Sequence, residues 1–256
     1  MIKFFRKIRQ NLLSENKTGK YFKYALGEII LVVIGILIAL QINNWNQNRI
    51  TQNNQEKYLL LLKNETLNNL NELKSAQNTI QSITNGQQKL IRLIDSNLDT
   101  ISENYFSKVM FEAFGSVPRF DFENSVLSEL KISGEIKNIK NDSIRRKIVA
   151  LEPLVKSVAD SEKFVIDMFL VTSEIILENG SVRTWYDSID FNEYVKIEKG
   201  KKSVSNIPIL KSNKFENYLL RYMGPSANLR GNIYAKLEKH LNSLIELIDK
   251  ELKALE

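Results

Sequence analysis

Between Glu28 and Arg49 the chain carries no charged side chain. Inside that interval Ile29–Leu40 is Val, Ile or Leu at ten of twelve positions, interrupted only by Gly35 and Ala39. Near a bilayer centre each such residue favours insertion by roughly 0.3–0.6 kcal/mol, so the run far outweighs its two small residues. Extended through Tyr24–Leu26 on one side and Gln41–Trp45 on the other, it makes a helix of about 20 residues and about 30 Å, enough to span a hydrocarbon core. Tyr21, Phe22 and Tyr24 at one end and Trp45 at the other fall where amphipathic rings anchor at an interface.

A cleaved signal peptide would need small residues in an A-x-A-like pattern just after the run. Ile38-Ala39-Leu40-Gln41-Ile42 offers Leu and Ile instead, which favours an uncleaved signal anchor. Charge then sets the orientation. Residues 1–23 hold seven of the 36 bases and one of the 30 acids, so the remainder carries 29 of each. The net charge of +6 therefore belongs to one terminal segment. Arg49, Lys57 and Lys63 are the only bases soon after the span. By the positive-inside rule the amino terminus is cytoplasmic, against the anionic inner leaflet of a cell inner membrane, and the rest is periplasmic. Three domains are expected: a basic amphipathic segment at 1–23, a transmembrane helix at 24–47, and an extracytoplasmic helical domain at 48–256. Ile2, Phe4, Phe5, Ile8, Leu12 and Leu13 among the bases fit a helix lying on the leaflet, or a basic leader with incidental apolar residues.

Composition narrows the chemistry. With no cysteine and a single histidine, His240, thiolate nucleophiles, sulfur-ligated zinc and multi-histidine metal sites are excluded within one chain. The electroneutral body lacks a nucleic-acid footprint. Ten Gly and four Pro in 256 residues favour long helices. In residues 49–101 a stripe of Leu59, Leu62, Leu70, Leu73, Ile80, Ile83, Leu90, Ile94, Leu98 and Ile101 has polar gaps at Thr66, Gln77 and Gln87. Its spacing predicts a helix that continues the span as a stalk of roughly 75 Å. Residues 143–178 carry a heptad-like, coiled-coil seam: Ile144, Ile148, Leu151, Val155, Val158, Glu162, Val165, Phe169, Thr172 and Ile176. Pro153 should kink or restart that helix. A last helical segment is expected over about 227–254. Turn signals at Gly115–Pro118, Gly134, Gly180, Gly200–Pro208 and Gly224-Pro225 divide these segments. Residues 194–210 alternate weakly and form a small β-hairpin or a loop. The expected fold is all-α: one transmembrane helix, a long helical stalk and an antiparallel bundle.

The stretch Phe4-Phe-Arg-Lys-Ile-Arg-Gln-Asn-Leu-Leu13, then Gly19-Lys-Tyr21, then Tyr24 through Trp45-Asn46, resembles the opening of a large uncharacterised bacterial family of single-pass membrane proteins. The block Phe120-Asp-Phe-Glu-Asn-Ser-Val-Leu-Ser-Glu-Leu-Lys-Ile-Ser-Gly134, followed by Ile139–Ile148, is similar to that family's second patch. The resemblance implies a membrane address and a helical domain, and no reaction.

Each candidate site has a bland alternative. Glu28, beside Gly27, is an ionisable group at the boundary of the span, functional by default unless it reaches the interface to pair with Lys20 or Lys23. Gly35 and Ala39, with Gly27 two turns earlier, offer a small-residue face for self-association, a pattern that is also common by chance. The amides of Gln41–Asn48 are interfacial hydrogen-bonding groups or a binding collar. Trp185, Tyr186, Asp187, Asp190, Phe191 and Tyr194 form the densest group of functional side chains outside the span. They are either a recognition surface or a cap on the bundle with turn-starting aspartates. His240 reads as a bundle-edge residue, Asp95 and Asp99 as a solvated face rather than a metal pair, and Arg145-Arg146-Lys147 as surface. With no phosphate loop, nucleophile elbow or His-Glu-x-x-His, the expectation is a non-enzymatic scaffold without cofactor or metal, self-associating or bound to another membrane protein. A ligand sensor working through a partner is the second reading, a carboxylate enzyme around 183–194 the third.

Overall fold

The computed structural model describes residues 18–202 and 204–255. The basic segment expected at 1–23 lies, up to residue 17, outside the described residues, as do the side chains of Lys20, Tyr21 and Tyr24. Two units follow one another, Met1–Lys57 and Tyr58–Glu256.

All regular structure among the described residues is helical. Helix α1, Thr18–Ile94, carries the apolar run and the Leu/Ile stripe as far as Ile94; the helix expected to reach residue 101 stops there, with Leu98 in a separate 3₁₀ turn and Ile101 just after it. Next come α2 (Glu103–Phe114), α3 (Ser125–Ile132) and α4 (Asp142–Asn179), then the short α5 (Val182–Ser188) and α6 (Phe191–Tyr194). The chain ends in α7 (Asn213–Asn228), a π-turn at Leu229–Tyr234, and α8 (Ala235–Leu255).

In the first unit one helix is long and apolar enough to cross a membrane, and no residue of its most apolar window is buried. Residues 29–50 are exposed throughout. Arg49 lies over the Trp45 ring at 5.4 Å, the geometry of a cation–π contact.

The second unit is a bundle whose directions can be read from its polar pairs. On α1, Lys63 meets Asp249 (2.6 Å), Gln77 meets Glu238 (2.8 Å), Gln81 meets Arg230 (3.1 Å) and Gln87 meets Ser226 (3.1 Å). One set of numbers rises as the other falls, so α7–α8 runs antiparallel to α1. The same holds for α4: Asn141 meets Glu251 (2.8 Å), Lys147 meets His240 (2.9 Å), Glu162 meets Tyr234 (2.5 Å) and Thr172 meets Tyr218 (3.3 Å). The core lies between these three runs, with Leu73, Ile80, Ile83, Ile148, Val165, Leu219, Tyr222 and Leu241 at most 1 % exposed.

The seam of α4 is buried inside this bundle at eight of its ten positions, with Val155 and Phe169 partly buried. Pro153 sits on the exposed side and α4 is assigned without interruption across it. Gly134 takes the left-handed conformation (φ 71°) that starts the next turn, a conformation glycine enters at no steric cost. A second expected boundary also differs. Gly224-Pro225 is not a turn; helix continues through it and runs into the π-turn four residues later. A wider turn accommodates an irregular ladder, and burial of Phe215, Leu219 and Tyr222 before it and Leu237 and Leu241 after it holds the run together. Residues 195–202 and 204–206 are loop rather than hairpin, followed by a 3₁₀ turn at Ile207–Lys211.

Candidate functional site

Two clefts, one aromatic layer and two buried carboxylates hold the uncommon chemistry of the second unit. The aromatic layer comes from α5 and α6 packing on α2. Phe111 contacts Trp185 (6.4 Å, edge-on) and Phe191 (5.5 Å), Tyr186 meets Phe191 edge-on at 4.8 Å, and Phe191 meets Tyr194 at 5.1 Å. Such tilted and edge-on pairs are the favoured geometries. Trp185, Tyr186 and Phe191 are half-buried in the layer, whereas Tyr194 is 79 % exposed.

The two aspartates hold the following loop. Asp187 accepts the Gly200 N–H through Oδ2 at 2.7 Å, and Arg183 stands 3.6 Å from its Oδ1. A Cβ on Gly200 would come within 3.1 Å of that Asp187 oxygen. Asp190, in the left-handed region (φ 58°), pairs with Lys199 at 2.9 Å, and that bond raises the lysine's pKa. Asn206 closes the far end, pairing with both backbone groups of Ser181 and donating its own N–H to Glu103. Trp185 Nε1, Asp187 Oδ1 and Asn192 Oδ1 are buried here without a hydrogen-bond partner, as is Ser107 Oγ on α2. The structure thus brings all six sequence-selected residues into one region, where the rings pack on one another and both aspartates have loop-holding partners.

The membrane-proximal candidates are simpler. Gly35, Ala39 and Trp45 are exposed, Gly27 and Glu28 half-exposed, and Glu28 is engaged in an interaction. A Cβ built on Gly27 or Gly35 meets nothing within 4 Å, so space within the chain does not demand either glycine.

His240 is half-buried, and its Nε2 donates to the Lys147 carbonyl at 2.9 Å, since a carbonyl can only accept. Burial lowers its pKa. It lines a cleft of about 470 Å³ with Ser143, Arg146, Lys147, Ala150 and Leu247. A second cleft, about 410 Å³, lies between α4 and the 122–131 segment and includes Phe122, Leu127, Lys131, Glu152 and Val155. Asp95 and Asp99 do not share a helix face: α1 ends at Ile94, and Asp99 belongs to a separate 3₁₀ turn capped by Asn97. No cluster of three metal-ligating side chains occurs among the described residues.

Sequence reasoning did not single out the two buried carboxylates. Glu65, 4 % exposed, accepts the N–H groups of Val126 (2.6 Å) and Leu127 (3.1 Å) and the hydroxyl of Ser125 (3.2 Å). It therefore caps α3 from another helix, a task that Asn124, the local N-cap residue, does not perform. One turn on, Asn69 exchanges two hydrogen bonds with the backbone of Glu123, at 2.7 and 2.8 Å. Glu162, 8 % exposed, accepts the Tyr234 hydroxyl at 2.5 Å and a backbone hydrogen bond from Phe120. Desolvation raises its pKa to about 6, more than these bonds lower it. Burial, and then the Glu162 bond, raise the Tyr234 pKa. The signal for Glu162 was its place as the one ionisable group in a seam whose other positions are apolar except Thr172.

Residues 28–153 match a family of unknown function (DUF6090). No curated protein and no solved structure matches the chain. The matched region holds the apolar run, the Glu65–Asn69 clasp, the whole segment it grips and Phe111 of the aromatic layer, while Trp185, Tyr186, Phe191, Tyr194 and Tyr234 lie beyond it.

Proposed function

We propose that this protein is a single-pass, membrane-anchored interaction module without enzymatic activity, its helical domain presented on the extracytoplasmic side of an inner membrane. The observation that carries this reading is the apolar window of α1, which has no buried residue. Some twenty uncharged positions without cover from their own fold require lipid or another helix around them. The basic residues before the span support a cytoplasmic amino terminus. The Gly27, Gly35 and Ala39 face supports self-association of the span. That role falls to the span because the seams of α1 and α4 are used inside the bundle. Tyr194, with the half-exposed Val195 and Ile197 that follow it in the chain, is the surface offered to a protein partner. Aromatic rings supply contact area at low entropic cost.

The absence of cysteine makes the test direct. Single-cysteine variants Gln10→Cys and Lys201→Cys are exposed in intact cells, with the outer membrane permeabilised, to a maleimide that cannot cross the inner membrane. Labelling at 201 and protection at 10 are expected; the reverse pattern refutes the orientation, and loss of the chain on alkaline extraction refutes the anchor. Ala39→Cys is expected to give a disulfide-linked dimer on mild oxidation, and only monomer would refute self-association through this face.

A further inference from the structure

We propose that the cleft between the start of α4 and α8 is an anion site for a phosphate-bearing ligand. Three of its lining residues, Arg146, Lys147 and Ser143, carry hydrogen-bond donors, and His240 lines it beside them. The Ser143 hydroxyl oxygen accepts from Arg146 Nη2 at 3.1 Å, which holds the guanidinium beside Ser143. No carboxylate lines the cleft.

The acids and bases around it are unequally committed. Asp142 is paired with Arg145, whose guanidinium also reaches the Ile139 carbonyl, so Arg145 is spent on the turn before α4. Asp249 is held by Lys63 and Glu251 by Asn141. Arg146 and Lys147 form no ion pair among the described residues. Two cationic residues without an ion pair therefore line one cleft while most nearby anions are engaged elsewhere, which leaves local positive potential.

The donor set favours phosphate over carboxylate. A tetrahedral dianion has acceptor oxygens enough for a guanidinium fork, an ammonium and a hydroxyl at once, and it matches the two charges. A volume near 470 Å³ exceeds what a bare ion fills, and Ala150 and Leu247 give the remaining wall an apolar character suited to an organic ester. A soluble phosphate monoester and the phosphomonoester head group of phosphatidic acid share this chemistry.

The test uses the full chain in an uncharged maltoside detergent. Calorimetry with inorganic phosphate and with glycerol 3-phosphate probes the soluble source. Native mass spectrometry from micelles doped with phosphatidic acid probes the lipid source. The variant Arg146→Gln/Lys147→Met retains the aliphatic stems, and Lys156→Met/Lys163→Met removes the same charge elsewhere on α4. Binding of either probe class, weakened at least about tenfold by the first variant and unchanged by the second, is expected; the class that responds identifies the source. Absence of binding by every probe, or equal weakening by both variants, overturns the proposal.

Discussion

Glu162 gives the sharpest quantitative consequence of the fold. Its carboxyl is 8 % exposed, between α4, the π-turn and the Phe120 backbone, and burial moves its pKa from 4.5 to about 6. At about 1.36 kcal/mol per pH unit, that separation is worth about 2 kcal/mol. The sign follows from which state holds the proton. Between pH 4.5 and 6 the folded chain keeps a proton that the unfolded chain has released. The stability it contributes is therefore fully present below 4.5 and lost as pH rises through 6. Glu162→Gln removes the ionisation while leaving an oxygen to accept from Tyr234. The stability of the natural chain relative to this variant should rise by about 2 kcal/mol on going from pH 7 to pH 4.5, or about 4–8 °C in melting temperature for a domain of this size. Melting of the full chain in mild detergent, followed by circular dichroism across that range, measures the difference and cancels the other titrating groups. Tyr234→Phe removes a hydrogen bond that lowers the Glu162 pKa, so the same inflection should move to higher pH. Parallel curves for the natural chain and Glu162→Gln, or an opposite slope, would refute the desolvation argument.

Two further substitutions test how α1 holds its neighbours. Glu65→Ala strands the N–H groups of Val126 and Leu127, at a cost of about 2–4 kcal/mol; hydrogen exchange should accelerate first in Ser125–Ile132, and uniform acceleration would refute a local cap. Gly86→Ala ought to gain up to about 1 kcal/mol from helix propensity. Its Cβ would, however, meet the Ala113 backbone nitrogen at 2.5 Å, so a net loss of about 1–3 kcal/mol is expected, and a rise in melting temperature would show that α1 and α2 are not closely apposed there.

The long elements were legible because their apolar period is strong. The steps of three and four from Ile144 to Ile176 select the face that α4 buries, Glu162 and Thr172 included. The same reasoning failed at Gly224-Pro225, where local propensity says stop. Phe215, Leu219 and Tyr222 before the break and Leu237 and Leu241 after it lie on one buried face, and packing on α1 and α4 outweighs two poor helix formers. The 115–124 segment was illegible for a different reason. It has no period of its own, and its partners Glu65 and Asn69 look in sequence like any solvated helix face.

The polar interruptions in the α1 stripe connect these observations. Thr66 donates to its own helix at the Leu62 carbonyl, but Gln77 and Gln87 reach Glu238 and Ser226. Leu and Ile alone would let α7–α8 slide along α1 by a turn at little cost, because one apolar residue resembles the next. Such a slip would strand the Gln87 amide, 1 % exposed, without Ser226. A slip of the 120–127 segment would leave the Glu65 carboxylate buried and unpaired. At about 1–3 kcal/mol for each orphaned group, and more for the charge, these few contacts are comparable with the 5–15 kcal/mol that holds a typical domain together. The stripe is soft because the gaps set the register that a uniform apolar seam leaves open.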